Sequence, residues 1–201
     1  MPFSRLLDAI ATTPSQCAVC HDWGQQRVCA LCVARFAPVL PRCERCAIEV
    51  PAGVATCGAC LNHPPPFEHT LAAVAYAHPW DGLITQFKFH EALDLAPALV
   101  QRLLNTYRQS AQPQPALLLP IPLSQARLRE RGYNQAWELA RRLARVLHCR
   151  TDAKLLLRVK DTPTSWHSRL TNAPATCTPH SQSSRGGAPS WRARPSHSST
   201  T

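Results

Sequence analysis

Apolar residues in this chain come in short groups set apart by prolines, and only the stretch between residues 67 and 164 groups them closely enough to predict packed elements. Leu71 to Tyr76 is a compact apolar run that reads as a strand. Pro79-Trp80-Asp81 opens a short helix through Ile84, Phe87 and Lys88. Leu95, Leu99, Leu103 and Leu104 share one helical face, which predicts a second amphipathic helix running to about Tyr107, and Pro113 and Pro115 break that pattern. Leu117-Leu118-Leu119 is short and wholly apolar, the form a buried parallel strand takes. A last helix has Ala136, Leu139, Ala140, Leu143, Val146 and Leu147 on its inner face.

Between that strand and that helix lies Ser124-Gln125-Ala126-Arg127-Leu128-Arg129-Glu130-Arg131-Gly132-Tyr133-Asn134-Gln135, which reads as a loop. Gly132 lets the backbone turn sharply and Asn134 is a good N-cap. In an open α/β sheet such a loop sits at the carboxyl end of a strand, with helix N–H groups facing any ligand there. Arg127, Arg129 and Arg131 would share one side of an extended loop, so an anion site is one reading and a solvated basic loop with a helix cap is the other.

The first sixty residues have a different logic. Four Cys-x-x-Cys pairs, Cys17/Cys20, Cys29/Cys32, Cys43/Cys46 and Cys57/Cys60, follow one another at intervals of eight, ten and ten residues. One pair can grip a Zn²⁺ as a bidentate knuckle and a second completes the S₄ tetrahedron of a structural site, so eight cysteines predict two zinc ions. Neighbouring pairs could combine, or the first with the third and the second with the fourth. Closed S₄ sites leave no open coordination position, so the metal is expected to hold the fold rather than to catalyse. A disulfide scaffold would need an oxidising compartment, and the N-terminus shows no signal peptide, because Asp8, Thr12 and Thr13 break its apolar run. His63, His69, His78 and His90 stand at no ligand spacing, Cys149 and Cys177 belong to no pair, and Trp80 and Phe87 read as core beside the zinc module.

No apolar stretch approaches the roughly 20 residues needed to cross a bilayer, so no membrane insertion and a soluble, cytoplasmic protein are expected. The formal charge of +10 suits a polyanionic partner. Residues 1–164 hold eighteen Lys/Arg against twelve Asp/Glu, and residues 165–201 hold four Arg and no acid. That tail has fourteen Ser/Thr and four Pro, with Leu170 as its one aliphatic residue larger than Ala. It reads as disordered, with Trp166, Trp191, Arg192 and Arg194 as accidental sequence rather than a nucleic-acid-binding arm. Pro64-Pro65-Pro66 marks a domain boundary, giving units at 1–63, 67–164 and 165–201.

The four cysteine knuckles, Pro64-Pro65-Pro66-Phe67, the Ala73-to-Tyr76 strand, Ile84-Thr85-Gln86-Phe87-Lys88-Phe89, Pro120-Ile121-Pro122-Leu123 and the Arg127-to-Ala136 segment occur in this order over residues 17–164, and in them the chain resembles the ComF family of competence and DNA-utilisation proteins. The resemblance implies a double zinc ribbon joined to an α/β type I phosphoribosyltransferase-like domain, and a role in DNA uptake or utilisation with affinity for single-stranded DNA. It also implies contact with proteins of the DNA-uptake machinery. Past Arg158-Val159-Lys160-Asp161-Thr162-Pro163-Thr164 the match ends. The paired acids and Thr/Gly-rich turn that would bind phosphoribosyl pyrophosphate have no counterpart, and no Asp-Asp or Glu-Asp pair occurs anywhere.

The expected architecture is therefore a zinc-ribbon module, an incomplete and marginally stable α/β domain, and an aberrant tail such as a shifted reading frame produces. Two functions remain: a nucleic-acid-binding accessory protein without catalytic residues, in which Arg42 and Arg45 join Arg127, Arg129 and Arg131 on phosphates, and a phosphoribosyltransferase acting on a base or an amine. Phosphoribosyl pyrophosphate is not an expected ligand of this chain.

Overall fold

The computed structural model describes residues 14–158 and the strand Cys177–Pro179. The expectations for Trp166, Trp191 and the rest of the tail lie outside the described residues.

The N-terminal part uses one local design twice. Strands β1 (Ser15–Gln16) and β2 (Trp23–Gly24) pair antiparallel around the first cysteine turn, and helix α1 (Ala30–Phe36) follows with Cys29 at its N-cap. In the second copy an antiparallel bridge between Arg42 and Glu49 takes the place of the strands, and helix α2 (Gly58–Asn62) follows with Cys57 at its N-cap. In each copy the residue after the second cysteine is left-handed, His21 at φ 64° and Ala47 at φ 59°. Its N–H closes onto the carbonyl of the first cysteine, at 3.0 Å to Cys17 and 2.8 Å to Cys43. Left-handed backbone costs a non-glycine residue about 1–2 kcal/mol. Both turns therefore depend on something that holds them closed.

Residues 64–66 belong to neither helix nor strand. Helix α3 (Trp80–Phe89) begins where the Pro79-Trp80-Asp81 signal places it, and a 3₁₀ turn (Leu93–Leu95) leads into α4 (Ala96–Gln109), with Pro97 tolerated in the first turn. Strand β3 (Leu117–Leu118) runs parallel to β4 (Arg150–Thr151), pairing Leu117 with Arg150 and Leu118 with Thr151. Helices α5 (Gln125–Arg131) and α6 (Gln135–Leu147) lie in the connection between them. That is the crossover a parallel pair requires, and α6 packs against α4.

Three expectations are corrected. Leu71 to Tyr76 is not a strand, because its backbone finds no pairing partner among the described residues. Residues 125–131 are helix rather than extended loop: the Ser124 hydroxyl accepts the Arg127 N–H at the start and Gly132, at φ 74°, ends it. Cys177–Pro179, within the tail read as disordered, forms strand β6 paired antiparallel with β5 (Leu156–Arg158). Among the described residues the strands pair only in twos.

The core crosses the proline linker. Cys17, Val28 and Cys32 from the first cysteine segment pack with Trp80, Leu83, Phe87, Leu95 and Ala96 in one buried cluster. Trp80 and Phe87 are 1% and 2% exposed, the core role expected of them.

Candidate metal centres and basic helix

The eight paired cysteines gather into two groups of four, Cys17, Cys20, Cys29, Cys32 and Cys43, Cys46, Cys57, Cys60, with the sulfurs of each group within 4.8 Å of one another. Neighbouring pairs combine, which excludes the crossed arrangement. Each group joins a tight turn to a helix N-terminus, since Cys29 and Cys57 are N-caps and Cys32 and Cys60 sit one turn along.

The spacing fits a tetrahedral ion. A Zn–S bond of about 2.3 Å sets the edge of an S₄ tetrahedron at about 3.8 Å, whereas a disulfide bond is about 2.05 Å. Observed Sγ–Sγ separations are 3.9 Å for Cys17–Cys32, 3.7 Å for Cys20–Cys29 and 3.7 Å for Cys46–Cys57. Backbone amides also point at the sulfurs, from Cys29 N to Cys17 Sγ at 3.4 Å and from Cys57 N to Cys43 Sγ at 3.3 Å. Each group could hold one metal ion, and no histidine joins either group among the described residues.

The thiols within a group are not equivalent. Burial pushes the Cys17 thiol up, but amides of Cys20, Cys29 and Val19 outweigh it and bring the thiol down to about 6. The amides of Cys46 and Cys57 do the same for Cys43, also to about 6. Burial and the surrounding sulfurs push Cys32 and Cys60 up to about 12. Four thiolates at such separations repel one another, and a divalent cation at the centre removes that repulsion.

The arginine segment is placed by different contacts. Helix α5 has no buried residue and carries Arg127, Arg129 and Arg131 against one acid, Glu130. At 3.6 residues per turn Arg127 and Arg131 share a face and Arg129 points about 200° away from Arg127, so the three do not converge. Arg131 lies over the Phe89 ring, 4.4 Å from its centroid, and donates to Gln135 Oε1 at 3.4 Å. Gly132, Tyr133 and Asn134 form the turn into α6. The Tyr133 hydroxyl donates to the Phe87 carbonyl, and burial together with Glu91 pushes its pKa up.

Asn134 Oδ1 accepts the N–H groups of Ala136 and Trp137, and its amide donates to the Ile121 carbonyl at 3.1 Å. The helix N–H groups expected to face an anion are thus already engaged by their own cap. Arg42 donates to the Ala47 carbonyl at 3.0 Å and braces the second cysteine turn.

Sequence reasoning missed Ser124 and Glu138. Ser124, before a run ended by glycine, is a readable helix start. Although burial opposes it, Arg141 and Arg142 hold the Glu138 carboxyl below its ordinary value, and the i, i+3 and i, i+4 spacing is visible in the chain. No described helix is long and apolar enough to cross a membrane.

No family model matches the chain, and no solved structure matches it. Curated relatives do. The DNA utilization protein YhgH of Escherichia coli O6:H1 is 31% identical over 163 residues, which is 76% of this chain and 70% of the relative. YhgH of Salmonella typhi is 32% identical over 168 residues, covering 78% and 72%. Competence protein F of Haemophilus influenzae is 30% identical over 128 residues, covering 62% and 56%. With two cysteine tetrads ahead of a β-α-β unit and identity of this order across more than two thirds of the YhgH relatives, the chain belongs to the ComF family of competence and DNA-utilisation proteins.

Proposed function

We propose that the chain is a zinc-binding accessory protein of DNA uptake or utilisation that holds two structural Zn²⁺ ions and binds single-stranded DNA through a basic surface. Zinc is the ion that four thiolates at tetrahedral spacing suit best. The observation that carries the DNA reading is α5, a surface helix with three arginines and one acid, in a chain whose relatives are named for DNA utilisation and competence. Arg129 is the most exposed of the three and contacts phosphate first, while Arg127 and Arg131 lie on the opposite face of the helix, so a flexible single strand must pass around it to reach all three. The reading requires no catalysis and no phosphoribosyl pyrophosphate.

The test is fluorescence anisotropy with labelled oligothymidylate at increasing salt, on protein shown by metal analysis to carry two zinc ions. Three phosphate contacts predict a slope of about −2 in log affinity against log salt. Binding that ignores salt, or no binding at all, removes the DNA reading. Mg²⁺-dependent binding of phosphoribosyl pyrophosphate in a parallel titration would restore the transferase reading instead.

A further inference from the structure

An open groove of about 590 Å³ runs between α6 and the chain from Cys149 to Thr151. Neither cysteine tetrad nor α5 contributes a residue to it. Trp137, Arg141, Arg145 and His148 line it from the helix side, at spacings of four, four and three residues that keep them on one face. Ala144 lies among them, 3% exposed, and its small side chain leaves open the space that a larger one would fill.

The ring at the head of this face is held in place. Asn134 Oδ1 accepts the Trp137 N–H at 3.3 Å, which fixes the first turn of α6. Trp137 is half-buried and lines the groove, so its indole is covered on one side and open on the other. A flat aromatic face kept partly in water beside guanidinium groups is the arrangement on which a base stacks while a neighbouring phosphate is held.

The groove is lined by one acid, Glu138, and its charge is spent within the helix. Arg141 donates to Glu138 Oε2 from Nε at 3.1 Å and from Nη2 at 2.6 Å, and Arg142 donates to the same oxygen. Arg145 and His148 are exposed, and Arg145 stands about 12 Å along the helix axis from Trp137. The charge favours an anion. The ring decides which anion, because a nucleic-acid strand offers bases and phosphates together, whereas an acidic peptide offers charge without a base.

We propose that this groove is a base-stacking subsite for single-stranded DNA, in which one base stacks on Trp137 and the same strand follows α6 to place a phosphate at Arg145. The subsite rests on the single-stranded-DNA reading and adds what α5 lacks, since α5 holds no aromatic residue.

The experiment measures the anisotropy of two labelled probes with zinc-loaded full-length chain, an oligothymidylate of about ten nucleotides and a phosphodiester chain of equal length without bases. Trp137→Leu should weaken oligothymidylate binding roughly tenfold and leave the baseless probe unaffected, while Trp137→Phe keeps a ring and most of the affinity. Arg145→Ala, at an exposed position, should weaken both probes and flatten their salt slopes by about 0.7, one contact beyond those of α5. Zinc content and circular dichroism confirm that the variants fold. Unchanged oligothymidylate affinity in Trp137→Leu, or an equal loss for both probes, would overturn the subsite and leave the α5 reading standing. No oligothymidylate binding by the unaltered chain would remove both. Hexaglutamate binding that Trp137→Leu weakens to the same degree would overturn the subsite in favour of an acidic peptide.

Discussion

The indole Nε1 of Trp80 donates a 2.8 Å hydrogen bond to the carbonyl oxygen of Phe36, forty-four residues earlier and across the proline linker. Phe36 ends α1, so its carbonyl has no intrahelical partner and Trp80 supplies one. The rest of the indole fills the core that Cys17 and Cys32 share with α3. The first cysteine segment is thereby built into the helical part of the molecule, whereas the second shows fewer such ties. Among the described residues its backbone is tied to the chain beyond the linker by Thr70 N to Glu44 O at 3.2 Å.

Trp80→Ala should therefore lower stability by about 3–5 kcal/mol, the usual cost of removing a buried aromatic. That is a large share of the roughly 5–15 kcal/mol that keeps a domain folded. Trp80→Phe retains most of the packing and leaves the Phe36 carbonyl without its donor, a loss of about 1–3 kcal/mol. Urea midpoints of the zinc-loaded chains would rank the two.

The asymmetry between the tetrads predicts unequal consequences of losing them. Cys60→Ser should reduce zinc from two ions to one per chain and leave helical circular dichroism nearly unchanged. Cys32→Ser removes a ligand that is also a core residue, so it should cost an ion and the cooperative unfolding of α3 and α4 as well. Equal loss of structure in both variants would show that the segments are tied together more closely than their contacts indicate.

The metal groups were readable because their chemistry is in the spacing: Cys-x-x-Cys forces two sulfurs onto one side of a turn whatever surrounds it. The α4 face and the Trp80 helix start were readable for a similar reason, since periodicity and caps are local. Leu71 to Tyr76 was not, because a strand exists only with a partner and composition cannot supply one. The α5 helix was missed because Arg-Leu-Arg-Glu-Arg has no apolar period, although Ser124 and Gly132 bracket it. The choice between sequential and crossed sulfur pairing depends on tertiary contact, and the sequence left it open.

Asn134 joins the turn to two elements at once, capping α6 and donating to Ile121 in the segment after β3. Asn134→Ala should cost about 1 kcal/mol from the lost cap, plus the unpaired Ile121 carbonyl. Asn134→Asp keeps the cap acceptor and loses only the donor, so its thermal midpoint should fall between those of the unaltered chain and the alanine variant.

Arg129 and Arg131 should separate binding from stability. Arg129 is exposed, so Arg129→Ala should lower the salt slope of oligothymidylate binding by about one contact and leave the urea midpoint where it was. Arg131→Ala also removes the guanidinium from the Phe89 ring and its bond to Gln135, so it should shift both measurements.

Removing the metal should change the shape of the stability profile with pH, not only its height. In the metal-free chain Cys17 and Cys43 are lowered to about 6 from the ordinary 9.0, so their contribution is complete above 9 and is lost as pH falls towards 6. Cys32 and Cys60 are raised to about 12, so theirs is complete below 9 and is lost as pH rises towards 12. Opposite slopes on either side leave a maximum near pH 9. Zinc removes the alkaline slope, because all four thiolates of a site are then bound and nothing remains to ionise, while protons still compete for the sulfurs in acid. Chemical denaturation from pH 5 to 11 should therefore show stability rising to a plateau above about pH 9 for the zinc-loaded chain and a peak near pH 9 after chelation. Superimposable profiles would mean that the cysteine groups do not bind the ion that holds their turns closed.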